Sequence, residues 1–275
     1  MPTLAHVSDL HLQSTVPARQ TQVEPILQAI NERKPDLVVI SGDVTDDGWD
    51  SIEELEWAKD WLEKRIDGDW FAVPGNHDVG NFVTLPDGQI NAERVKRWNE
   101  CFGSSNGRNL GKGWLVYGFN SMLFGSELEA EQLQAKWVHE TLITIDMFSA
   151  KISLFLHSPL YIDMDPQPAS RDVEYWLGPS QPRINILQDV DQIEKSVLIG
   201  SGHVHQTMLT GSDYQKIAWA PPASGTWVHA PGLPNPPMPE KTGFFLHTLH
   251  EDGRVETELV ECAPMLKCIA FDPWP

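Results

Sequence analysis

Five short clusters in this sequence carry residue types that bind metal ions or move protons. They are Asp9-Leu10-His11, Gly42-Asp43-Val44-Thr45-Asp46, Gly75-Asn76-His77-Asp78, the single His157, and Gly202-His203-Val204-His205. Carboxylate, imidazole and carboxamide groups are oxygen and nitrogen donors suited to Zn, Mn, Fe and similar ions. Within Asp9-x-His11 and His203-x-His205 the two donors are two positions apart. In an extended strand they would share a side, and just past a strand end both can also turn toward one ion. The glycines before Asp43, Asn76 and His203 permit backbone geometry that other residues resist. Two ions about 3.5–4 Å apart, sharing one carboxylate, make a hydrolytic site. Each cluster alone says little: Asp-x-His arises by chance, and Gly-Asn-His-Asp is also a turn sequence.

The weight lies in what precedes the clusters. Thr3 to Ser8, Asp36 to Ser41, Trp70 to Val73, Ile152 to Leu156 and Val197 to Gly200 read as strands, and one cluster follows each. Ligands of open α/β sheets sit at the carboxyl ends of strands, where clusters distant in sequence converge. Trp114 to Phe119 reads as a further strand. Between the strands lie helical patterns: Gln20 to Arg33, with Val23, Ile26, Leu27 and Ile30 on one face; a helix opened by a Ser51/Glu54 capping box, with Ile52, Leu55, Ala58 and Leu62; Glu93 to Phe102; and Glu129 to Leu142. Pro221 to Pro239 reads as a surface loop. Phe244 to Leu249 and Val255 to Val260 flank His250-Glu251-Asp252-Gly253 as a hairpin. This order predicts one domain over 1–275, in which a β-rich part from about 206 to 275 completes the second of two sheets.

Composition narrows the function classes. The 275 residues hold 20 Lys plus Arg and 39 Asp plus Glu, a formal charge of −19. That balance argues against a chain that tracks a nucleic-acid polymer, which needs a basic surface unless bound metal changes the local sign. No apolar run approaches the roughly 18 residues of a membrane span, and the N-terminus lacks the features of a secretion signal. Cys101, Cys262 and Cys268 are odd in number and without metal-type spacing. They read as reduced thiols of a cytoplasmic protein. The 11 tryptophans could support a homodimer interface.

Taken as a set and in this order, the five clusters resemble those of the calcineurin-like metallophosphoesterase superfamily. The resemblance implies a four-layer α/β/β/α sandwich and two divalent or trivalent metal ions, Mn, Fe or Zn. It assigns one ion to Asp9, His11, Asp43 and His205, and the other to Asp43, Asn76, His157 and His203, with Asp43 bridging. His77 resembles the histidine that contacts the phosphate and protonates the leaving oxygen, while Asp46 and Asp78 would orient ligands. The implied reaction is phosphate-ester hydrolysis by in-line attack of a metal-bridging hydroxide. Ser8 to His11 and Gly42 to Gly48 are similar to class III cyclic-nucleotide phosphodiesterases and glycerophosphodiesterases, which points to small diesters. Those enzymes usually carry a second histidine beside the ligand at His157, where this chain has Ser158-Pro159. The segment from Asp163 to Leu187 looks more like a protein-phosphatase branch of the same fold.

Three functions therefore stay open: a phosphodiesterase, a phosphomonoesterase or protein phosphatase, and a scaffold that has lost catalysis; a nuclease resembling the superfamily's DNA-repair members is a further option, disfavoured by the charge. A scaffold would lack ligands or the acid, whereas all seven ligand positions and His77 are filled. Tyr161, Asp163, Tyr175 and Trp176 are candidates for substrate contact or for core packing. Arg171, Arg183 and His229 are further candidates. His6, His139, His247 and His250 read as structural or exposed.

Overall fold

The computed structural model describes residues 1–83, 88–104, 106–147, 150–160, 176–179, 183, 185, 186, 188, 190, 197–225 and 242–262. Three parallel strands open the chain: β1 (Thr3–Val7), β2 (Leu37–Ile40) and β3 (Trp70–Ala72). They are joined by α1 (Pro17–Arg33) and α2 (Ile52–Glu63). The short α3 (Asn76–Val79) and α4 (Ala92–Phe102) lead to an antiparallel pair, β4 (Asn106–Gly111) and β5 (Trp114–Gly118). Next come α5 (Glu129–Met147), β6 (Lys151–Phe155), β7 (Val197–Ser201), β8 (Met208–Gly211) and β9 (Gln215–Trp219), then the hairpin β10 (Gly243–Leu249) and β11 (Val255–Glu261).

The strands form two sheets, ordered β11-β10-β1-β2-β3 and β4-β5-β6-β7-β9-β8. A part from about 206 onward was expected to complete one sheet, but the C-terminal strands divide between both. β8 and β9 extend the six-stranded sheet beyond β7, while β10 pairs antiparallel with β1, Ala5 opposite Leu246, and closes that strand's open edge. An unpaired β1 would leave a row of backbone donors and acceptors unsatisfied. β4, β8 and β9 have no counterpart in the pattern reading. β4 is an edge strand with little apolar alternation, and β8–β9 is a short hairpin beside it in kind.

Alternation of side chains along each strand sorts the core into layers. Leu4, Leu37, Val39 and Phe71 of the first sheet pack with Trp114, Val116, Phe155, Leu198 and Ala218 of the second. The opposite faces carry Ala5, Val7, Val38 and Ile40, and Ile152, Leu154 and Ile199, which join the helical residues Val23, Ile26, Leu27, Leu55, Leu62, Val138 and Leu142. The result is helix, sheet, sheet, helix, as the family resemblance implied. Trp61, Trp98, Trp114, Trp176 and Trp219 are spent on this interior. The Ser51 hydroxyl caps α2 by accepting Glu54 N–H at 3.3 Å. Glu54 does not complete the reciprocal half of the box, because its carboxylate accepts Ser14 N–H at 2.9 Å and the Ser14 hydroxyl.

Two histidines lie in the apolar layer between the sheets. His6 and His247 are fully buried, and their rings stack with centroids 5.8 Å apart. His6 meets the Phe155 ring edge-on at 4.9 Å. His6 Nε2 is bonded to Ser41 Oγ and His247 Nδ1 to Thr257 Oγ1, each at 2.8 Å. His6 Nδ1 and His247 Nε2 have no hydrogen-bond partner among the described residues. Burial, and then the nearby Lys216 ammonium, push His247 down to about 3; burial and His247 push His6 well below its usual range. Both are neutral in the fold but protonate once unfolded, so stability falls as pH drops from the unfolded value near 6.5 toward 3. His247→Gln is therefore expected to flatten the fall of Tm between pH 7 and pH 5, removing up to about 2 kcal/mol of acid sensitivity. Parallel pH–Tm curves for the variant and the wild type would refute this.

Candidate metal centre

The clusters sit where strands end, and the backbone there is unusual. Among the described residues eight other than glycine have positive φ, and five of them are Asp9 (55°), His11 (45°), Asp43 (49°), His203 (70°) and His205 (52°). Left-handed backbone is unfavourable for such residues and persists where the surroundings impose it. Asp9 and His11 thereby share one donor group, while His203 and His205 enter different groups that both include Asp43. Asp9 N–H donates to Gly42 O and His11 N–H to Asp43 O, both at 3.0 Å, which locks the first cluster onto the second. Gly42 also has positive φ, at +98°, which glycine adopts without strain. Gly75 has an ordinary φ of −107°, and its requirement is space: a Cβ there would lie 2.2 Å from Asp43 Oδ1.

Three groups of donors result. Asp9, His11, Asp43 and His205 bring one ligand atom each within 4.8 Å of one another; Asp43, His157 and His203 do the same, as do His11, Asp46 and His77. Asp43 belongs to two groups. Asn76 Oδ1 lies 3.2 Å from His157 Nε2 and so joins the second. The expected site residues are thus brought together, and Asp43 is shared by two of the donor groups.

Hydrogen bonds fix the state of the imidazoles. His157 Nδ1 donates to Ser41 O, His205 Nδ1 to Gly225 O and His77 Nδ1 to Asp46 O, each at 2.8 Å. Carbonyls only accept, so each Nδ1 carries the proton, and Nε2 is a lone pair in the neutral ring. His11 Nδ1 likewise faces Asp46 Oδ1 at 2.9 Å. The Nε2 atoms then confront one another and the carboxylates: His11 to His205 at 3.1 Å, His205 to Asp9 Oδ1 at 3.3 Å, and His157 to Asp43 Oδ2 at 3.1 Å. Lone pairs and negative charges at such distances repel, and positive charge among them, a proton or a metal cation, relieves the repulsion. The donor set fits divalent metal ions on this ground.

The titration behaviour records the same crowding. Burial raises the Asp9 and Asp43 carboxyls, and the imidazoles more than reverse it: Asp9, facing His205 and His157, falls to about 2, and Asp43, facing His157 and His77, lies well below the usual range. Burial lowers His157, but Asp43 and Asp9 lift it to about 9. His77, with its side chain 31% exposed, stands at the rim; its enclosure lowers it, while Asp43 and the Asp46 carbonyl raise it on balance. Its ring meets the His11 ring edge-on at 4.6 Å.

Asp78 ties the second and third clusters together. Its buried carboxylate accepts Gly75 N–H (2.9 Å), Val44 N–H (3.1 Å), Thr45 N–H (2.9 Å) and Thr45 Oγ1 (2.8 Å). Burial and the Asp43 charge nevertheless raise it to about 6. Trp176 is buried, with its ring 5.5 Å from that of His203. Arg183 is buried rather than solvated, and its Nη1 donates to Leu160 O at 3.1 Å. Tyr161, Asp163, Arg171, Tyr175 and His229 lie outside the described residues, as does Cys268. Pattern reading missed the Ser41 and Gly225 carbonyls, since a backbone atom has no signature in residue type.

The calcineurin-like phosphoesterase profile matches residues 2–207, so the chain belongs to that family of hydrolases. Two curated relatives carry phosphodiesterase names. "Probable glycerophosphodiester phosphodiesterase GpdQ" of Arcobacter nitrofigilis is 27% identical over 75% of this chain and 73% of its own length. "Probable cyclic nucleotide phosphodiesterase" of Moraxella catarrhalis is 26% identical over 59% of each chain. Among solved structures, a dimetal phosphatase from Danio rerio shares the fold, with a TM-score of 0.60 at 14% identity over 95% of this chain and 99% of its own.

Asp78→Asn puts an amide N–H₂ against two of the four donors. It is expected to destabilise the chain by about 1–3 kcal/mol and to weaken metal uptake. Chemical denaturation and a Mn²⁺ titration read the two effects. Wild-type values in both would show that Asp78 does not position these loops.

Proposed function

We propose that this hydrolase is a metal-dependent phosphodiesterase acting on small diesters of the cyclic-nucleotide or glycerophosphodiester type. The observation that carries the metal part is the convergence of buried Nε2 lone pairs and carboxylates on the space around Asp43. Asp9, His11, Asp43 and His205 would hold one cation, and Asp43, Asn76, His157 and His203 the other. When bound, two such ions supply Lewis acidity toward the phosphoryl oxygens and acidify water. The metal identity proposed is Mn, Fe or Zn, from the nitrogen and oxygen donor set.

The chain's own residues do the rest. The Asp46 carbonyl holds His77 Nδ1–H, so Nε2 is the atom left to face a substrate. At the rim of the cluster it is placed to hold a proton for the leaving oxygen, a contribution usually worth about 10²–10⁴-fold. Asp46 also braces His11 through its carboxylate, so acid and ligand share one anchor. The diester preference is supported by the names of both curated relatives and by the Gly42-to-Gly48 pattern. A monoesterase is the second reading, favoured by Ser158 where those diesterases usually carry histidine.

No described helix is long and apolar enough to cross a membrane. Cys101 and Cys262 are buried free thiols, which supports a cytoplasmic location.

The test compares bis(4-nitrophenyl) phosphate, 4-nitrophenyl phosphate and 3′,5′-cyclic AMP with Mn²⁺ supplied. Faster turnover of the diesters is expected, and a monoester preference would move the protein to the phosphatase branch. Asp43→Ala is expected to lose both ions and all activity together; retention of both ions with full turnover would overturn the assignment. His77→Ala is expected to keep the ions and to slow substrates with poor leaving groups most. An equal loss on good and poor leaving groups would remove it as the acid.

A further inference from the structure

Four of the converging imidazoles, His11, His77, His157 and His205, give Nδ1–H to a fixed acceptor, and for the first three that acceptor lies in the Ser41-to-Asp46 stretch. His205 differs. Its acceptor is Gly225 O, 20 residues further on, in the segment that follows β9. That segment runs beside the first cluster: Ala223 N–H donates to Ser8 O at 2.9 Å and Ser224 N–H to Asp9 O at 3.0 Å. These bonds set the near side of the segment. The Ser224 carbonyl, in the peptide that leads directly into Gly225, accepts instead from Gln22 Nε2 at 2.6 Å. Gln22 is half-buried on α1, just before the core residue Val23.

We propose that Gln22 is a positioning residue for His205. By holding the Ser224 carbonyl it fixes the peptide plane before Gly225, and thereby aims the Gly225 carbonyl at His205 Nδ1. The imidazole is then kept with its Nε2 lone pair toward His11 Nε2 and Asp9 Oδ1. The effect falls first on the ion held by Asp9, His11, Asp43 and His205, because His205 leans on this segment directly. Gln20, two residues earlier on α1, donates to Gln13 O and Ser14 O at 3.3 and 3.5 Å and serves as a control for general loosening of the helix. The inference rests on the metal-centre reading above.

The experiment is calorimetric titration of the metal-free full chain with Mn²⁺, with apo Tm recorded alongside. Variants are Gln22→Met, which keeps length and loses the donor, Gln22→Ala, Gln20→Ala, His205→Ala, and Gln22→Met combined with His205→Ala. The wild type is expected to take up two ions. Gln22→Met and Gln22→Ala should weaken one binding step by about tenfold, the low end for loss of a group that supports a ligand, and leave the other step in place. Gln20→Ala should leave both steps unchanged, and Gln22→Met should add nothing once His205 is gone. Unchanged steps in Gln22→Met, equal weakening of both, or an effect that persists without His205 would each overturn the role. A wild-type chain that takes up no Mn²⁺ would overturn the metal reading itself, and this inference with it.

Discussion

The Asp43 carboxylate is the constraint on which the site depends. It is almost wholly buried, it accepts His77 N–H at 2.9 Å, and His157 Nε2 stands 3.1 Å from its other oxygen. An isolated buried carboxylate would be costly to keep ionised. This one is kept ionised by positive charge among the Nε2 atoms around it, a proton or a metal cation, and each of those imidazoles must present Nε2 rather than Nδ1. The backbone acceptors at Ser41 and Gly225, and the Asp46 side chain and carbonyl, enforce that choice. The burial of one charge thus dictates the hydrogen bonds of residues more than a hundred positions away.

The geometry that meets this demand is strained. Left-handed backbone at five ligand candidates costs on the order of 1–3 kcal/mol each, and the turns could not hold that shape alone. The sheets hold it. Each turn leaves a strand whose register is fixed by neighbours on both sides, as β1 is by β2 and β10, and β7 by β6 and β9. The apolar layer between the sheets and the two outer layers oppose any slip of those registers. The scaffold therefore supplies rigidity from apolar burial and spends some of its stability on the ends of its strands.

How much of this the sequence displays follows from the same division. Buried parallel strands are continuous apolar runs, so Thr3–Val7, Leu37–Ile40 and Val197–Ser201 stand out, and the ligand clusters are visible because they interrupt those runs. The α1 face made by Val23, Ile26, Leu27 and Ile30 is equally plain. Edge strands such as β4 carry no such run and stay hidden. So do features that depend on tertiary contact: Glu54 fits a capping box locally, but Ser14 claims its carboxylate. The division of the C-terminal strands between two sheets is also invisible, because a hairpin pattern does not say which edge it will cover. Gln22 reads as an ordinary exposed helix residue, and only the Ser224 carbonyl beside it reveals what it touches.

Charge finally bears on which phosphate esters suit such a site. A chain with a formal charge of −19 attracts cations and repels anions at long range. It therefore favours loading of a cation cluster while opposing approach of the substrate. The opposition grows with the substrate's charge. A polyanionic nucleic acid meets it along its whole length, a phosphate monoester carries up to two negative charges near neutral pH, and a diester carries one. Once cations occupy the Asp43 cluster, the local field is attractive over a short range only, since salt screens it within about 8–10 Å. A small monoanionic diester crosses the repulsive zone with the least penalty, and its attraction to the cations is smaller in the same proportion. On approach, therefore, the acidity opposes a polyanionic polymer most, a monoester less and a diester least.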